Sequence, residues 1–183
     1  MEGLRHTLLG FCIQLVLILT FLFIPYLLEA TDITLPKDTP VQVFFSPNGG
    51  CTDALIDTIN KSKSEILVQA YIFTSEPIAK ALLDAHKRGV KVSVILDKNQ
   101  KKNGYSSAAF FSNQGIPAYI DSNHASAHDK VMIIDKETVI TGSFNFTKSG
   151  ENQNAENVLI IKSSELASLY RENWMKHRAH AEK

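Results

Sequence analysis

The run His128-Asp129-Lys130-Val131-Met132-Ile133-Ile134-Asp135, followed by Gly142-Ser143-Phe144-Asn145, decides the fold. Two apolar stretches, Lys130–Ile134 and Thr138–Phe144, flank Asp135-Lys136-Glu137 and read as a β-hairpin. Side chains two apart on a strand share a face, so His128 and Lys130 point the same way. Ser143 and Asn145 do the same on the other arm, and Glu156 opens a further strand over Ala155–Lys162. An apolar hairpin therefore carries a row of polar, chemically capable side chains along one side.

Outward from the hairpin, strands and helices alternate. Val41–Ser46 is a short β-rich run, closed by Pro47-Asn48-Gly49-Gly50 and followed by a helical stripe over Thr52–Lys61. Glu65–Phe73 reads as an apolar strand. Ser75, Glu76 and Pro77 then look like a helix start, and Gly89 like its stop. Val90–Leu96 and Ile116–Ile120 read as strands either side of a helix over Tyr105–Gln114. A last helix begins near Ser163 or Ser164, with Leu166, Leu169, Tyr170 and Trp174 inward. Two β-α-β units, a hairpin and a closing helix give an α/β domain with a mixed β-sheet flanked by helices, without an internal repeat.

Each polar residue has a blander reading. A lone histidine beside a strand is usually a partly buried polar group, a lysine can snorkel, and Ser143 and Asn145 can serve a turn. Together they resist that reading: a chance H-x-K-x4-D is expected in roughly one chain of this length in a hundred. Net charge gives no help. Without Arg5, Glu2 and Glu29, the 19 basic and 19 acidic residues fall to 18 and 17, far from the strong basicity of many nucleic-acid binders. Two local basic clusters, Lys98–Lys102 and Lys176–Arg178, suit either a solvated surface or phosphate steering. Cys12 and Cys51 make no internal staple, and no Cys/His group has zinc-ligand spacing, so no metal or cofactor is expected. Cys51 lies at a helix start, where a thiol can be activated, but it has no base nearby in sequence.

The run His128–Asp135 with Gly142–Asn145 resembles the HKD motif of the phospholipase D superfamily. Phe45-Ser46-Pro47, Ala70–Ser75, Ile78–Leu82, Leu96-Asp97-Lys98, Gly142–Thr147 and Asn154–Leu159 extend the likeness to that superfamily's small bacterial single-motif endonucleases. It covers about Val41 to Trp174.

The resemblance implies a single phospholipase D-like domain and a metal-independent phosphodiesterase that works through a phosphohistidine. His128 would be the nucleophile, a role imidazole suits by being nucleophilic when neutral and a good leaving group when protonated. Lys130, Asn145 and Ser143 would hold the non-bridging phosphate oxygens. Glu156 would accept the second ring N–H of His128, and Asp135, facing away, would support the motif. One motif supplies only one histidine, and the leaving oxygen needs an acid. The family pattern thus implies a homodimer with a composite active site, His128 of the second chain acting as acid and base. Lys98 and His124 are further candidates for substrate contact. DNA is the expected substrate, with RNA open; a phospholipase D acting on phosphatidylcholine-type lipid is the alternative, and a non-catalytic binding protein a third reading.

Leu8–Leu28 is uncharged and strongly apolar, preceded by Arg5. It is longer than the usual signal-peptide core and close to a membrane span, so residues 1–30 read as a signal peptide or an anchor. Residues 31–40 follow as a linker, and 41–183 as an exported, extracytoplasmic domain, periplasmic or secreted, with the N-terminus free to sit in the membrane.

Overall fold

The computed structural model describes residues 31–101 and 106–183. The apolar segment, Cys12, Lys102 and the start of the helix expected from Tyr105 lie outside the described residues. Among the described residues no helix is long and apolar enough to cross a membrane. Leu35–Lys183 forms one compact unit.

Seven strands make one sheet: β1 (Val41–Ser46), β2 (Glu65–Ala70), β3 (Lys91–Asp97), β4 (Ala118–Asp121), β5 (Lys130–Ile134), β6 (Thr138–Gly142) and β7 (Glu156–Lys162). Their spatial order is β1-β7-β6-β5-β2-β3-β4. β2, β3 and β4 run parallel, and every other pairing is antiparallel. The parallel units are therefore β2 to β3 and β3 to β4. β1 crosses to the opposite edge and pairs with β7, although the helix after it leads into β2.

Among the described residues five α-helices complete the unit: α1 (Cys51–Asn60), α2 (Glu76–Lys87), α3 (Ser107–Asn113), α4 (Lys148–Asn152) and α5 (Ser164–His180). β2 is buried along nearly its whole length, as a central strand covered on both faces must be. One face packs Leu55, Ile59, Ile78, Leu82 and Phe111 of α1, α2 and α3 against Ile66, Val68 and Met132. The other buries Leu67, Ile133 and Val139 under Ala167 and Trp174 of α5. Trp174 Nε1 also donates to Val68 O at 3.0 Å, so this aromatic meets its polar need while buried.

The hairpin is where the sequence put it, with Ile133 opposite Val139. Its turn holds Asp135 (φ 54°) and Lys136 (φ 61°) in the left-handed region, and Glu137 N donates to Ile134 O. β6 ends at Gly142, two residues before the expected Phe144. Gly142 has φ 152°, and a Cβ there would lie 2.2 Å from Asn157 O. The backbone kinks at that close approach, and Ser143 N and Phe144 N both reach Asn157 O. β2 likewise ends at Ala70 rather than Phe73, because Thr74 N and Ser75 N turn to Phe146 O. The short helix α4 was not expected; Thr147 caps it by accepting from Gly150 N at 2.9 Å.

Candidate active site

Register gathers the motif at one end of the sheet. Ala70 pairs with Lys130, Gly142 with Val158, and Ser46 with Glu156. The amino ends of β5 and β7 thus meet the carboxyl ends of β1, β2 and β6. After Gly142 the chain still alternates. Phe144 and Phe146 are buried in the core, and Ser143 and Asn145 are half-buried between them.

Lys130 is the centre of the arrangement, and it is buried. Its Nζ lies 3.0 Å from His128 Nδ1, donates to His128 O at 2.7 Å, and sits 5.0 Å from the Tyr71 ring centroid. Burial pulls the Lys130 ammonium below the usual lysine range, and the charges of Asp129 and Glu156 offset part of that. The His128 ring lies 4.2 Å from the ring of Tyr71, which fixes its plane from the next strand. Tyr71 was not singled out as a site residue. Its sequence signal was its place in Ala70–Ser75, inside the expected strand Glu65–Phe73; the structure puts it one residue beyond the end of β2.

Ser143 Oγ accepts from Asn157 N at 3.1 Å and from Asn157 Nδ2 at 3.3 Å. Its hydroxyl proton therefore remains to be donated. Asn145 Oδ1 is buried without a hydrogen-bond partner. An orphaned buried acceptor costs about 1–3 kcal/mol and marks a place where a further group is expected. Glu156 differs from its expected part. Its Oε1 accepts from Asn154 Nδ2 at 3.1 Å, and the neighbour of His128 Nδ1 is Lys130. Glu156 acts on the site through its charge on Lys130.

A family model described as cardiolipin synthase, PLD-like domain, matches residues 55–178. The chain belongs to the phospholipase D superfamily. A phospholipase D of Rickettsia conorii is 42% identical over 139 residues, which cover 76% of this chain and 70% of that one. The mitochondrial cardiolipin hydrolase of Mus musculus is 31% identical over 120 residues, 66% of this chain and 54% of the mouse protein. A phospholipase D family member, Nuc from Salmonella typhimurium, superposes with a TM-score of 0.75 at 40% identity, over 79% of this chain and 97% of that one. This phospholipase D-like chain is accordingly a phosphodiester hydrolase, and its seven-stranded mixed sheet flanked by helices is the fold of Nuc.

Asp135 stands away from the phosphodiesterase site, and Lys98 and His124 engage other partners. Asp135 is at the far end of β5, five residues or roughly 16 Å from Lys130. Its carboxylate accepts from Lys63 N, Ser64 N, Ser64 Oγ and Glu65 N, at 2.7–3.1 Å, and so clamps the entry to β2. Burial raises its pKa, but these hydrogen bonds outweigh that and hold the carboxyl below the usual range. Asp135 is a structural residue. Lys98 opens a 3-10 turn and donates to His124 O at 2.8 Å, tying down the loop that leads to His128. His124 faces Asp121, at 3.0 Å, and not His128. Cys51 is fully buried, and the helix start beside it is occupied by Glu151, which accepts from Gly50 N and Thr52 N. Burial first, then the Glu151 charge, push the thiol up, against thiolate chemistry.

Proposed function

We propose that this phospholipase D-like hydrolase is an exported endonuclease that cleaves the DNA backbone, with RNA a further substrate, through a phosphohistidine on His128. The observation that carries the chemistry is the buried Lys130 ammonium held 3.0 Å from the ring nitrogen of His128. In that contact the ammonium donates, so Nδ1 bears the lone pair and the neutral ring carries its proton on Nε2. A phosphate that draws Lys130 onto its non-bridging oxygens releases the ring lone pair for attack. Ser143 adds its free hydroxyl proton, and the Asn145 amide, turned about its last torsion, presents a donor where Oδ1 is orphaned.

Attack forms the phosphorus–nitrogen bond as the bond to the leaving oxygen breaks, and that oxygen takes a proton. Water then attacks phosphorus, gives up a proton, and frees the histidine. A second imidazole is needed for both proton transfers, and His128 of a second chain supplies it. An exposed apolar stripe supports such a homodimer. Val41, Val43 and Phe45 alternate along β1, and Phe45 pairs with Asn157, the partner of Ser143. Burying that stripe between two copies brings the two sites close together.

The near-complete overlap with Nuc and the likeness to small single-motif endonucleases favour DNA. The identity to the Rickettsia conorii phospholipase D supports a second reading, hydrolysis of phosphatidylcholine-type lipid to phosphatidic acid. Incubating the protein with plasmid DNA, RNA and phosphatidylcholine vesicles, with and without EDTA, separates them. Nicked DNA with intact lipid is expected; lipid cleavage with intact DNA overturns the substrate. EDTA is expected to leave the chemistry running at temperatures well below melting. Mixing wild-type and His128→Ala chains should give inactive heterodimers, whereas full activity in isolated monomers ends the composite-site reading.

A further inference from the structure

At the end of the sheet that carries β4, four side chains from two distant stretches converge. Asp121 closes β4, His124 follows in the loop, and His177 and His180 lie on the last turns of α5. The Asp121 carboxylate is completely buried. Its Oδ2 lies 3.0 Å from His124 Nδ1, 2.7 Å from His177 Nδ1 and 3.4 Å from His180 Nε2. The four donor atoms all lie within 4.8 Å of one another. Their side-chain hydrogen bonds are to one another and to Asn123 N, not to His128, Lys130, Ser143 or Asn145.

We propose that Asp121, His124, His177 and His180 form a structural binding site for one divalent first-row metal ion, Zn2+ by choice of ligands. Three imidazole nitrogens and one carboxylate oxygen are a borderline donor set of the kind zinc takes in four-coordinate sites. The dimensions agree. Ligand atoms about 2.0–2.1 Å from a tetrahedral zinc lie about 3.3 Å from one another. The three nitrogen-to-Oδ2 separations, 2.7–3.4 Å, already bracket that edge. The remaining nitrogen-to-nitrogen gaps close by small ring rotations.

Hydrogen bonding uses the buried carboxylate to its limit: Asn123 N and three ring nitrogens, with His124 shared between both oxygens, meet its roughly four lone pairs, and all three rings converge on Oδ2. The rings crowd one another, with centroids 4.8, 5.2 and 5.5 Å apart, so placing protons on all of them sets like charges side by side. A single divalent cation at the convergence point satisfies every donor at once.

The surroundings hold the ligands ready. His177 and His180 are three apart, so they share a helix face. Ile120 and Glu182 exchange two backbone hydrogen bonds, and the Arg178 guanidinium stacks 3.5 Å over the Tyr119 ring. These contacts fix the end of α5 against β4. Lys98 Nζ grips His124 O, and Asp97 accepts from Ala127 N at 2.8 Å, so the loop from Asp121 to His128 is tied at both ends. The metal would fasten the C-terminal helix to that loop, four residues ahead of the nucleophile, without touching substrate.

The test uses the untagged full chain, stripped with a chelator and titrated with Zn2+ and with Co2+ as an optical probe. One equivalent of Zn2+ per chain is expected. Co2+ should give the intense visible bands of a four-coordinate site, and Zn2+ should raise the melting temperature by several degrees. His124→Gln and His180→Gln replace the two most exposed rings, so both should fold. Each should weaken Zn2+ binding at least about tenfold, and the double variant should abolish the thermal shift. His128→Ala should bind Zn2+ as the wild type does, which keeps this result separate from any failure of the phosphodiesterase reading. Absence of stoichiometric binding, unchanged affinity in the double variant, or loss of binding in His128→Ala overturns the proposal.

Discussion

His124 and His128 are four residues apart on one loop, and their surroundings are opposite. The ring of His128 meets a cation, the buried ammonium of Lys130, beside a tyrosine face. The ring of His124 meets an anion, the buried carboxylate of Asp121, with two more imidazoles around it. The first neighbourhood is incomplete: an amide oxygen is orphaned, and a hydroxyl proton is uncommitted. The second is filled, with four donors matching the roughly four lone pairs of the Asp121 carboxylate. A histidine whose lone pair accepts from an ammonium can yield it once a phosphate draws that ammonium away, whereas one turned on a carboxylate is held in place.

The sharpest way to break this contrast is to remove each ring in turn. His128→Ala should lower turnover by about 10⁴-fold or more with the fold intact, measured as initial rates on the cleaved diester. If His124→Gln costs as much in turnover, measured with melting followed in parallel, the loop is one functional unit and the contrast fails. A loss below about tenfold is expected.

Next in size is the cation. Lys130→Met should reduce kcat by about 10²–10³-fold, and Lys130→Arg should not restore it, because a planar guanidinium does not fit a buried point-charge site. Burial lowers the Lys130 pKa, so its proton is lost at a lower pH than in a free lysine. The alkaline limb of the pH–rate profile should therefore fall earlier than ordinary lysine titration, and a limb at or above that range would argue against Lys130 as the charge that matters.

The smallest effect on turnover belongs to the residue at the other end of β5. Asp135→Asn should leave kcat within about twofold and cost about 1–2 kcal/mol of stability in urea melts. The folded-state pKa of Asp135 is depressed, so its contribution is full above the unfolded carboxylate value of about 3.9 and fades as pH falls through the folded value. Wild type and variant should therefore converge in stability at low pH. A turnover defect without a stability defect would return Asp135 to the catalytic group.

The contrast also explains what could be read before folding. Alternation along the hairpin placed His128 with Lys130 and Ser143 with Asn145, because strand periodicity is local and the neighbouring phenylalanines reinforce it. The fold class followed from the same periodicity. The sheet order did not, since nothing in Val41–Ser46 says that it will cross to pair with β7. Glu156 was located correctly in sequence, yet its partner depends on which side chains bracket it, here Asn154 and Lys130. The second cluster needed the docking of α5. Asp121 and His177 are 56 residues apart and meet only because Trp174 and Ala167 seat that helix on the sheet. The spacings Asp-x2-His and His-x2-His were its only local traces.

The two backbone hydrogen bonds between Ile120 and Glu182 have a colloidal consequence. β4 is an outer strand only four residues long, and part of its outward hydrogen-bonding row is already taken by the chain's own tail. A foreign β-segment seeking to extend the sheet finds that rim blunted. Self-association through strand addition is thereby directed away from β4, toward the longer rim at β1, where Val41, Val43 and Phe45 are exposed. Among the described residues the sheet is thus guarded on one rim and open on the other.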